Sequence, residues 1–196
     1  MGKVTSSKDL IMLLLYARGH VGKQCDPIRG RTRLMKMVFL FKEEIRRKFN
    51  LEKAIPKEAI PDFKKYDFGP FSAQVFSDLE FLVELGFVQV KRANDTEPLP
   101  EETLEYEYWQ AAAASDEERE SPICEEEFSL TPIGRGFVEE ELSRGLTKQQ
   151  WTILDEFKAR CTAASLRALL RYVYTKYPKW TEASKIRDEI LSKYRF

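Results

Sequence analysis

Arg29, Arg31, Arg33 and Lys36 crowd four cations into eight residues, within Pro27-Ile28-Arg29-Gly30-Arg31-Thr32-Arg33-Leu34-Met35-Lys36. The apolar positions that follow place this cluster at the start of a helix. Basic charge there opposes the helix dipole, which favours anions at that end. One reading is an anion site, with guanidinium groups and free backbone N–H groups holding a phosphate or a carboxylate-rich partner. The other is charge balance against acidic residues of the same chain. A second segment stands out, Tyr66-Asp67-Phe68-Gly69-Pro70-Phe71-Ser72. Glycine then proline sets a tight approach into a following helix, with aromatic residues to anchor it on both sides.

Groups for catalysis or metal binding are scarce. His20 is the only histidine, so no His pair or Cys-His cluster for zinc can be assembled. Cys25, Cys124 and Cys161 are odd in number and far apart, which fits reduced thiols in a cytoplasm better than a disulfide framework. The glycine-rich loops and nucleophile elbows of nucleotide and hydrolase sites are missing. Asp67-Phe68-Gly69 matches a kinase triplet without any of its companions. The expectation is a protein without catalytic activity, cofactor or metal.

The elements that must position these segments follow from apolar spacing. Ser6, three residues before Asp9, announces a helix over about residues 7–17. Residues 18–30, with three glycines and Pro27, suggest a loop. A second helix is expected over about 32–49, with Leu34, Met37, Val38, Phe41 and Ile45 at spacings of three and four. Its first half should be buried nearly all round, and its charged second half should emerge into solvent. Pro70 and Gly86 bracket a third helix, with Val75, Leu79 and Leu82 as its apolar stripe. Residues 87–91 alternate as a strand does, and 126–130 offer a partner strand. A further short strand is expected around Tyr106–Trp109. Thr131-Pro132 opens a helix to about 142, and three more helices complete the chain. The first of these is lined by Trp151, Leu154, Phe157 and Cys161, the second by Leu166, Leu169, Leu170 and Val173.

The predicted fold is α+β and mainly helical: a winged-helix core, a helix-turn-helix with a β-hairpin wing, over residues 1–145. Residues 146–196 form a C-terminal helical appendage. The 196-residue chain balances 32 basic against 32 acidic side chains, so no global basic field draws it to nucleic acid. The charge is segregated, however. Residues 93–127 hold thirteen acids and one base, an acidic insertion in the wing whose alanine-rich centre is expected to be mobile. Between residues 71 and 85 there is no Arg or Lys, while Asp78, Glu80 and Glu84 are acidic. A helix of that kind is poorly suited to reading DNA.

Four segments together resemble the Panacea family, small prokaryotic proteins related to the antitoxin SocA and similar to YwgA-type proteins. They are Leu13-Leu14-Leu15-Tyr16, Arg33-Leu34-Met35-Lys36-Met37-Val38-Phe39, Tyr66-Asp67-Phe68-Gly69-Pro70 and Ser129-Leu130-Thr131-Pro132-Ile133-Gly134. The family's aromatic-x-x-Gly-Pro element falls on Tyr66, Gly69 and Pro70. The resemblance spans roughly residues 7–145, and the C-terminal helices look like those of archaeal members. It implies an antitoxin or adaptor that binds a protein partner without catalysis. The acidic insertion departs from the family pattern. A winged-helix DNA-binding transcriptional regulator is the alternative reading. Both are cytoplasmic readings without a membrane, since the longest apolar run is too short to span one. The C-terminal helices are candidates for a homodimer interface.

Overall fold

The structure is a computed structural model in which residues 4–92 and 126–192 are described. The strand expected at Tyr106–Trp109 and the centre of the acidic insertion lie outside the described residues. The protein is α+β and mainly helical, with a three-stranded and a two-stranded antiparallel sheet.

The first helix, α1 (Ser7–Tyr16), starts at a capping box. Ser6 Oγ accepts from the Asp9 N–H, and the Asp9 carboxylate accepts from the Ser6 N–H at 3.0 Å. Its run Leu10–Tyr16 is buried all round, so α1 is the central helix rather than a surface one. A two-residue strand, β1 (Ile28–Arg29), ends the segment expected to be a loop. Two residues are too few to show a period, and β1 exists only because a later strand pairs with it.

Gly30, at φ +81°, turns the chain into α2 (Arg31–Leu40). This helix runs without a break through a π-helical segment (Phe41–Ile45) into a last α-turn (Arg46–Lys48). Leu34, Val38 and Phe41 are wholly inaccessible, as the spacing predicts, and the charged second half surfaces. The strands β2 (Lys64–Tyr66) and β3 (Gly69–Phe71) form a hairpin pairing Tyr66 with Gly69 and Lys64 with Phe71. Pro70 therefore sits in a strand, not in the first turn of the third helix. Gly69, at φ +82°, completes the two-residue turn that reverses the chain there.

That third helix, α3 (Ala73–Glu84), ends in a Schellman motif. Phe87 N–H reaches Leu82 O, and Gly86 N–H, at φ +71°, reaches Val83 O. Strands β4 (Val88–Arg92) and β5 (Glu126–Leu130) pair with Val90 opposite Phe128 and Val88 opposite Leu130. Because β1 adds to the other edge of β5, the sheet order is β1-β5-β4. Thr131 then caps α4 (Pro132–Phe137), which continues as a π-helical segment (Val138–Leu142).

The remaining helices are α5 (Lys148–Ala163), α6 (Leu166–Lys176), α7 (Pro178–Thr181) and α8 (Arg187–Leu191). They do not keep a core of their own. Leu154, Phe157, Leu169, Leu170, Val173 and Ile190 join α1 and α2 in one hydrophobic cluster, with α6 against α2 and α5 against both. Their buried apolar positions face the chain's own core. Phe39 of α2 is the centre of an aromatic knot, with the rings of Phe63, Tyr177 and Trp180 at 5.2–5.4 Å.

Candidate functional site

The four cations at the start of α2 do not converge on one place. Arg29 and Arg31 both reach β5, and Arg33 and Lys36 reach two other parts of the fold. Arg29, largely exposed on β1, pairs with Glu127 of β5 at 2.5 Å. Arg31 is nearly buried between two carboxylates, Glu126 at 2.6 Å and Glu80 at 3.1 Å, with its guanidinium 5.6 Å from the Phe128 ring. Burial works against its charge, but Glu126 and Glu80 more than offset it and hold the guanidinium above its ordinary range. Arg33 donates to the carbonyls of Cys161 and Ala164 at 2.7 and 2.6 Å. It thereby caps the C-terminus of α5, the end where a helix favours a cation. Lys36 is wholly buried, and its ammonium donates to Phe68 O at 2.8 Å and Pro70 O at 2.9 Å. Glu80, Glu126 and Glu127, the end of α5 and the β2–β3 hairpin supply the partners for the charge that opposes the α2 dipole.

The aromatic-x-x-Gly-Pro segment meets the cluster through Lys36. Tyr66 stacks on Phe71 at 5.0 Å, and Phe71 leans on Phe76 at 5.4 Å. A Cβ at Gly69 would lie 3.3 Å from the Tyr174 ring of α6. So Tyr66, Gly69 and Pro70 form a structural corner that joins hairpin, α2 and α6. Leu130-Thr131-x-x-Gly134 is explained in the same way. Thr131 Oγ accepts from Gly134 N–H at 3.1 Å and donates to Gly86 O at 2.6 Å. Gly134 lies so close to Phe87 that a Cβ would stand 2.1 Å from its carbonyl oxygen.

A second buried lysine went unnoticed in the sequence. Lys158 of α5 is inaccessible, and its ammonium donates to Leu15 O, Ala17 O and Asp26 O at 2.8, 2.8 and 2.6 Å. It supplies the cation that the last turn of α1 lacks. Burial pulls both Lys36 and Lys158 down to about 7, with Asp26 opposing the shift at Lys158. The signal was available: position 158 falls on the apolar stripe, four residues after Leu154 and three before Cys161.

The outer side of α3 is different in kind. Of its three acids, Asp78 turns inward, where it accepts from Ser7 Oγ and pairs with Lys8 at 2.8 Å. Glu80 is taken by Arg31, which leaves Glu84 facing solvent. Beside it Phe81 is 43% and Leu85 51% exposed. They lie one turn apart and off the Val75-Leu79-Leu82 stripe, so the helix has two apolar sides and the core takes only one. Ile133, at the start of α4, is 67% exposed. The Thr131–Gly86 hydrogen bond leaves it and Leu85 two residues and one residue from a shared contact.

Among the described residues, no group of three or more His, Cys, Asp or Glu side chains could hold a metal ion. No described helix is long and apolar enough to cross a membrane. The chain matches no family model, no curated protein and no solved structure.

Proposed function

We propose that this chain is a non-enzymatic interaction protein of antitoxin or adaptor type, built on a winged-helix core, that holds a protein partner on the outer face of α3. The order helix, strand, helix, helix, strand, strand, with the β2–β3 hairpin inserted between the second and third helices, supports the core assignment, as does a sheet in which β5 lies between β1 and β4. In winged-helix proteins that bind DNA, the helix in the place of α3 enters the major groove.

The observation that carries the reading is what this helix presents outward. Phe81 and Leu85 meet solvent, with Glu84 between them and no Arg or Lys from residue 71 to 85. Exposed rings and branched side chains gain by being covered with apolar surface, whereas phosphates offer them nothing. The cations that a duplex would need, Arg31, Arg33 and Lys36, are engaged inside the protein.

The test pairs two measurements. In a gel-shift titration against random duplex at low and physiological salt, binding should be negligible at the higher salt. A photo-crosslinking residue at position 81, expressed in cells, should capture a protein, while the same group at exposed Glu58 should not. Tight duplex binding at physiological salt would overturn the reading in favour of a DNA-binding regulator.

A further inference from the structure

The chain beyond α6 folds back onto the β2–β3 hairpin and brings cations from three elements to one carboxylate. Lys185 makes the tie: its N–H donates to Asp67 O at 2.7 Å, and its ammonium pairs with the Asp67 carboxylate at 2.5 Å. On the same hairpin, Lys65 of β2 donates to Glu182 at 2.9 Å, and both side chains are more than half exposed. That hydrogen bond, with the charges of Lys65, Arg187 of α8 and Lys179 of α7, holds Glu182 below the usual carboxylate range. Neither Lys179 nor Arg187 has an ion pair of its own among the described residues. The Arg187 Nε–H is shut off from solvent and has no acceptor among them. Buried donors are nearly always paired in a native fold, so this one is exceptional.

We infer that Lys65, Lys179 and Arg187 form a binding site for a phosphate monoester, with Glu182 as the built-in occupant that the phosphate replaces. Charge balance decides the class of ligand. Three cations share the single negative charge of Glu182, while Lys185 is already matched by Asp67. A phosphate monoester carries about −1.5 to −2 charges at neutral pH, so it balances the site better than a carboxylate does. A nucleic-acid phosphodiester carries one charge per group and gains nothing over Glu182. The guanidinium supplies a fork of donors, including the shielded Nε–H, and the two ammonium groups act as point charges. Asp188 follows Arg187 directly, and adjacent residues of a helix do not face each other. A free phosphate ester and a phosphorylated side chain of a partner share this chemistry. The inference does not rest on docking at α3.

The experiment is calorimetric titration of the full chain at neutral pH and low salt with three probes: phenyl phosphate, a peptide bearing one phosphoserine, and dimethyl phosphate as the diester. Both monoesters should bind and the diester should not. Arg187→Gln should weaken the monoesters about tenfold, and so should Lys179→Gln, whose exposed position keeps folding out of the result. Glu182→Gln should tighten them about tenfold, because it removes the competing charge, whereas a purely structural Lys65–Glu182 pair predicts no gain. Added salt should weaken binding throughout. A phosphopeptide that binds more tightly than phenyl phosphate assigns the phosphate to a partner's side chain, and equal affinities assign it to a free ester. The inference fails if neither monoester binds, if the diester binds as well as they do, or if binding is indifferent to residues 179, 182 and 187.

Discussion

Replacing Lys158 by Met keeps a similar unbranched stem but removes the ammonium that three carbonyls share. Those of Leu15 and Ala17 close the end of α1, and that of Asp26 belongs to the loop leading to β1. Three buried carbonyls left without a donor cost about 1–3 kcal/mol each, roughly 3–9 kcal/mol together. Against this stands the cost of keeping an ammonium out of water, several kcal/mol per buried ion. The difference leaves a destabilisation of about 3 kcal/mol. In a chain of this size that corresponds to a melting temperature lower by roughly 6–12 °C. Guanidinium unfolding followed by tryptophan fluorescence suits the measurement, because Trp151 of α5 lies 5.3 Å from Tyr16 of α1. A Lys158→Met protein as stable as the wild type, or more so, would refute the reasoning. It would mean that the α1 carbonyls find other donors and that the buried charge is a net burden.

Two further outcomes follow from the same structure. Lys36 and Lys158 titrate near 7 in the fold and near their ordinary 10.5 when unfolded. Between those values the unfolded chain binds more protons, so stability should rise with pH, by up to about 1.4 kcal/mol per pH unit for each lysine. Cys161, pushed up to about 12 by burial, keeps a proton in the fold that the unfolded thiol loses above 9, and so offsets part of the climb there. Urea unfolding should therefore show stability climbing from pH 7 to pH 9, with about half the climb in Lys158→Met, and a flat wild-type profile would contradict it. Gly134→Ala should destabilise by about 2–3 kcal/mol, since its methyl meets the Phe87 carbonyl, a backbone atom that cannot swing aside. Thermal melting checks this, and an unchanged midpoint would show that the start of β4 yields freely.

The periodic parts of the fold are legible in the sequence for a plain physical reason: a long apolar pattern fixes both a helix and the side it buries. Leu34, Val38 and Phe41 are examples, and so is the Ser6–Asp9 capping box, whose partners are three residues apart. The alternation around Val88 and Phe128 marks two strands equally well. The short elements are not legible. β1 is two residues long and β3 three, and each is defined by what pairs with it. Pro70 offers the same evidence for a helix start as for a strand until the turn at Gly69 is built.

The candidate site divides along the same line. By itself the sequence determined that four cations stand at the start of α2, that this placement needs compensating partners, and that the third helix carries no base. Those are matters of residue type and local spacing. Only the tertiary structure decided where the compensation comes from. Arg31 finds Glu126 ninety-five residues away, and Arg33 and Lys158 reach carbonyls more than a hundred residues distant along the chain. It also decided which acids of α3 face water, because Asp78 turns inward only when α1 brings Ser7 and Lys8 beside it. A local pattern states what a side chain requires, while burial and long-range contact determine what remains on the surface.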